Sequence, residues 1–121
     1  MSAFDDVRAI VPRRIWEGIT ARGVHGERLT LAVVELEPGA IAEEHSHPHE
    51  QLGIVLRGSL LFRVADEERD LGPGETWQIP SNTPHRAVAG ADGATVLDVF
   101  APPRSEWAEG EPGDPGPGRW P

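Results

Sequence analysis

Histidines at 45, 47 and 49 put three of the chain's five imidazoles inside five residues, and a fourth, His85, follows the turn-forming run Pro80-Ser81-Asn82-Thr83-Pro84. Clustered imidazoles are costly to bury unless something satisfies their polar nitrogens. Neutral imidazole is also the commonest side-chain ligand for first-row metals. The chain has no cysteine, which excludes disulfides, thiol catalysis and thiolate metal sites. All 11 of its cationic side chains are arginine and it has no tyrosine, so side-chain Schiff bases and tyrosyl proton transfer are excluded as well. The chemistry left is coordination by nitrogen and oxygen donors, with acid–base work falling to His, Asp, Glu or metal-bound water.

The elements that must position these donors read as short strands. A length of 121 residues suits one domain, and 14 Gly with 12 Pro supply many turns. Residues 29–37 are rich in β-formers and stop at Pro38-Gly39. Residues 51–56 and 59–65 flank Arg57-Gly58, which predicts a tight hairpin there, with a further turn at 66–68. Residues 69–71, 76–79, 85–89 and 94–100 complete the series, separated by Gly/Pro/Asn turns. No stretch sustains an apolar 3.6-residue period, so the expectation is an all-β sandwich or barrel with little helix. The expected division is an N-terminal arm with the first strands at 1–28, a barrel at 29–104 and a Gly/Pro-rich, disordered tail at 105–121. In its last twelve residues, eight are Gly or Pro. A net charge of −9 argues against nucleic-acid binding, and no apolar run approaches the ~18 residues of a membrane span. The expected setting is the cytoplasm.

Alternation along a strand allows His45 and His47 to face one cavity, and the turns at 72–74 and 80–82 allow His85 to return to it. Gly39-x5-His45-x-His47-x3-Gln51-x6-Gly58, followed by Gly74-x5-Pro80-x-Asn82-x2-His85, resembles the two sequence motifs of the cupins. Gln51 stands where that family usually has Glu, and Asn82 where it commonly has Gly. The resemblance implies a double-stranded β-helix, a jelly-roll-like barrel. It also implies His45, His47, Gln51 and His85 as ligands of one divalent transition metal: Zn, Ni, Fe, Co or Mn. Glu50 is the alternative fourth ligand, and strand alternation makes it exclusive with Gln51. Three imidazoles and a neutral amide leave the charge of a divalent ion uncompensated, which favours anionic substrates.

In the strand at 94–100, Val96, Asp98 and Phe100 share one face. A carboxyl in that apolar setting must be partnered or must hold its proton more tightly. Arg104 follows the stiff Pro102-Pro103 pair and suits bidentate capture of a carboxylate. The pattern Asp98-x-Phe100-x3-Arg104 is similar to that of small cupins that open the ring of unsaturated uronates, in which these positions line the active site. That resemblance implies Asp98 and Arg104 as catalytic, and Phe100 and Arg104 as substrate-binding. Asp98 pairing with an arginine to close the barrel is the structural alternative. His49 is expected at the cavity rim, His25 in a turn or at the surface, and Glu35, Glu37, Glu43 and Glu44 on a solvated face.

The leading expectation is thus an enzyme using a Lewis-acid metal on a small carboxylate-bearing substrate, assembled as a homodimer. A metal-dependent dioxygenase, a polyketide cyclase and a non-catalytic small-molecule-binding module are the alternatives, because one fold hosts many functions.

Overall fold

The computed structural model describes residues 2–108 and Trp120. Among these, eight strands run in the order β1 (Arg13–Trp16), β2 (Ile19–His25), β3 (Thr30–Leu36), β4 (Ile41–His45), β5 (Glu50–Val64), β6 (Glu67–Leu71), β7 (Thr76–Ile79) and β8 (His85–Ala101). The helical elements are single 3-10 turns at Val7–Ala9 and Ser105–Ala108. All strand pairings are antiparallel. Of the tail expected to be disordered at 105–121, Ser105–Ala108 forms a 3-10 turn, and the rest lies outside the described residues except Trp120.

β5 and β8 are the long elements, at 15 and 17 residues. The expected hairpin at Arg57-Gly58 does not form: β5 runs through it, and the expected strands at 85–89 and 94–100 are likewise one strand. The reason is a shared corner. The β5–β8 register shifts between Val55 and Arg57 and again between Gly58 and Leu60. Bulges of this kind let paired strands bend together from one layer into the next. Gly58 has φ +79°, and a Cβ there would lie 2.1 Å from the Gly93 carbonyl oxygen, so the crossing requires a residue without a side chain. The turn that does reverse the chain is Ala65-Asp66, just ahead of the expected 66–68.

Beyond the corner, each long strand serves two layers. The second half of β8 pairs with β3 and with the first half of β5, which also pairs with β7. The first half of β8 pairs with β4 and with the second half of β5, which also pairs with β6. The N-terminal stretch, which shows little periodicity in sequence, joins the first layer through β1–β2–β3. The inner faces pack a core that includes Ile19, Val34, Val55, Leu60, Phe62, Ile79, Val96 and Phe100. Burial of such side chains is the main favourable term in the fold.

Candidate metal centre

β4 ends at His45, which pairs across to His85 at the start of β8. His47 lies two residues beyond that strand end, in the loop leading to β5, so strand alternation is not what orients it. The loop is held by the turn that precedes β8. The Asn82 N–H donates to the His47 carbonyl at 2.7 Å, and the Ser81 hydroxyl donates to the Pro48 carbonyl. Asn82 accepts φ +61°, a conformation that asparagine tolerates better than most residues. The two histidine-bearing segments therefore clasp each other.

Each of the three rings is fixed through Nδ1 by a backbone carbonyl: Glu43 for His45 at 2.7 Å, His49 for His47 at 3.0 Å, and Thr83 for His85 at 2.9 Å. Nδ1 must donate to a carbonyl, so a neutral ring presents Nε2 as a bare lone pair. One ring nitrogen from each histidine lies within 4.8 Å of the others, close enough to share one ion. His85 Nε2 is buried without a hydrogen-bond partner. His47 has an acceptor at both nitrogens, since Gln51 Oε1 lies 3.1 Å from Nε2. A neutral imidazole has one N–H and cannot satisfy both, whereas a cation shared by Nε2 and Oε1 would. Burial keeps both rings neutral: desolvation lowers the His47 pKa and pulls that of His85 down to about 4. The donor set fits a transition metal.

Gln51 is buried and Glu50 exposed, as opposite faces of β5 require. The amide of Gln51 is oriented from behind, because its Nε2 donates to Asp98 Oδ1 at 2.9 Å. The Trp77 indole N–H donates to the same oxygen at 3.0 Å. Desolvation raises the pKa of the fully enclosed Asp98 to about 6, against the opposing pull of those two donors and of Arg104. Trp77 reaches Asp98 across Gly53, which is the register partner of both. A Cβ on Gly53 would sit 2.2 Å from the indole ring.

Asp98, Phe100 and Arg104 line the same cavity of about 70 Å³ as His45, Gln51 and His85. Arg104 does not bond Asp98; its Nε donates to Glu106 at 3.0 Å. His47 joins this group through His45, His85 and Gln51, while Glu50, the alternative fourth ligand, lies exposed on the other face of β5. His49 packs against His47 and Phe100, with ring centroids 5.3 and 6.3 Å away. His25 is exposed at the end of β2, with Nδ1 2.8 Å from Thr30 Oγ1. Glu35, Glu43 and Glu44 meet Arg22, Arg86 and Arg63. Sequence reasoning missed Trp77, Gly53, Trp16 and Trp107. Trp77 was within reach, because it alternates with Ile79 on the inner face of β7. Trp16, whose ring centroid is 5.2 Å from that of His45, gives no such signal.

Comparison with known proteins agrees with this geometry. Residues 32–100 match the family described as the cupin domain. Pectin degradation protein KdgF of Dickeya dadantii (strain 3937) is 30% identical over 80 residues, which are 65% of this chain and 73% of that protein. Oxalate decarboxylase OxdC of Bacillus subtilis (strain 168) is 35% identical over 79 residues, 61% of this chain. The chain spans only 20% of the length of OxdC. Among solved structures, KdgF from Halomonas sp. superposes with a TM-score of 0.80 at 29% identity, covering 88% of this chain and 98% of that one. With the family matched over more than half its length, on a barrel that carries the three-histidine cluster, the chain belongs to the cupins.

Proposed function

We propose that this protein is a metal-dependent enzyme that opens and tautomerises the ring of a small unsaturated uronate. The observation that carries this reading is the buried Asp98, tied to Gln51 and Trp77 beside three convergent imidazoles. His45, His47, Gln51 and His85 would hold one divalent ion. When bound, such an ion supplies Lewis-acid polarisation of substrate oxygens. The kinship with KdgF, a pectin degradation protein, supports a uronate as the substrate class.

The chain's own residues account for binding and proton movement. Arg104 presents a guanidinium at the cavity for the substrate carboxylate, a geometry that favours two parallel hydrogen bonds. In the reaction the anomeric hydroxyl loses its proton, the bond from the anomeric carbon to the ring oxygen breaks, and an aldehyde and an enol result. The enol proton then leaves oxygen and a proton adds to carbon, giving a ketone. The net change is an isomerisation needing no oxidant or reductant. Asp98 would carry the proton, because a carboxyl held near pKa 6 can both give and take one close to neutral pH. Trp77 and Gln51 both bond Oδ1, which leaves Oδ2 for that task.

The test is turnover of an unsaturated monouronate by metal-loaded protein, followed by loss of its enol-ether ultraviolet absorbance, with oxalate and a β-diketone run alongside. Asp98→Asn should keep fold and metal while turnover falls by roughly two to four orders of magnitude. Turnover of oxalate or the diketone with the uronate untouched would overturn the reading, and binding without turnover would leave a non-catalytic module. A homodimer belongs to the same proposal, and a monomer mass by light scattering would remove it.

A further inference from the structure

The last described segment of the chain does more than follow the barrel. Arg104, the carboxylate clamp of the reading above, is gripped on several sides. Its backbone N–H donates to the hydroxyl of the fully buried Thr30 at 2.9 Å, which ties it to the start of β3. Its guanidinium carbon lies 4.4 Å from the centroid of the Trp107 ring and 5.0 Å from that of Phe100. Those two rings meet edge to face at 4.9 Å. Trp107 is itself set by the 3-10 turn, whose N–H at 107 donates to the Arg104 carbonyl at 3.0 Å. Arginine held against aromatic faces keeps its in-plane N–H groups available for hydrogen bonding. With Nε given to Glu106, the pair of terminal nitrogens is what a carboxylate can still engage.

We infer that Trp107 is a positioning residue for substrate carboxylate recognition, acting through Arg104, so that the 3-10 turn at Ser105–Ala108 is a working part of the site. The inference rests on the proposed uronate reading and deepens it. Without the indole, a long flexible side chain would sample several rotamers, and ordering it would have to be repeated at each binding event. The loss should therefore fall on the charged ligand alone. A wall that merely shaped the cavity would affect charged and neutral ligands alike.

The experiment is equilibrium binding by calorimetry of galacturonate and of its neutral methyl ester to metal-loaded wild type, Trp107→Ala and Trp107→Phe. Wild type should favour the acid. Trp107→Ala should weaken acid binding by about tenfold and leave the ester unchanged, as expected when a preorganised ion contact is loosened. Trp107→Phe should stay close to wild type because it retains an aromatic face. Equal weakening of acid and ester in Trp107→Ala, or an undiminished acid preference, would overturn the positioning role while leaving the uronate reading standing. Wild type that does not favour the acid would overturn the carboxylate reading and this inference with it.

Discussion

Burial acts on Asp98 and on His85 in opposite senses. Raising the carboxyl from an ordinary 3.8 to about 6 means that the folded chain keeps a proton that the unfolded chain releases between about pH 4 and pH 6. Stability from this group is full at low pH and falls as pH rises through that window, leaving an ionised interior carboxylate that costs ~3 kcal/mol at neutrality. His85 works the other way. Its pKa drops from 6.5 to about 4, so the unfolded chain protonates first and stability falls as pH drops through that range. The lowered pKa of His47 has the same sign as that of His85. In metal-free protein Asp98 therefore offsets the acid sensitivity of the histidines. Asp98→Asn keeps an oxygen acceptor for Gln51 and Trp77 while removing the charge. It should be more stable than wild type at pH 7 and lose stability more steeply between pH 6 and pH 4, as read from denaturant midpoints across that range. Parallel profiles for the two proteins would show that Asp98 does not titrate there.

At the scale of the element, Gly53 fixes how β5, β7 and β8 share the site. The absent side chain leaves room for the Trp77 indole to lean across β5 onto Asp98. Gly53→Ala should cost about 1–3 kcal/mol through overpacking against a ring that cannot swing away. It should also shift the indole N–H resonance of Trp77, because the bond to Asp98 is disturbed. An unaltered resonance and thermal midpoint would show that the ring has another place to go. Such coupling explains what could be read from the sequence. The donors His45, His47, Gln51 and His85 stand at motif spacings, and the Val96, Asp98, Phe100 face follows from alternation. The long strands could not be read, because Arg57-Gly58 carries the local signal of a hairpin. Only the facing Gly93 reveals that the glycine serves a crossing. Trp107 was hidden for a related reason: it sits in a Gly/Pro-bordered segment whose composition says loop, and its contact with Phe100 depends on how the chain folds back after β8.

For the whole molecule, the two layers share β5 and β8, and the cavity is lined both from β1 and from the segment that follows β8. Trp16 on β1 packs against His45, while Trp107 and Arg104 follow β8. Residues some ninety positions apart in sequence thus line one cavity. No helix among the described residues is long and apolar enough to cross a membrane.

β8 has a consequence in time as well as in space. It carries His85 at one end and Asp98 with Phe100 at the other, and its partners β3, β4 and β5 all come from much earlier in the chain. Pairings between distant segments form late, and barrels dominated by them fold on the millisecond-to-second scale. No local fragment of this chain holds the histidine cluster, so the affinity for an ion has no early precursor and arrives with the closing strand. In stopped-flow refolding with a divalent ion held by a coloured chelator, metal uptake should coincide with recovery of the native tryptophan signal. Uptake well ahead of that signal would mean that the segment from His45 to His49 captures an ion alone and carries it into the barrel.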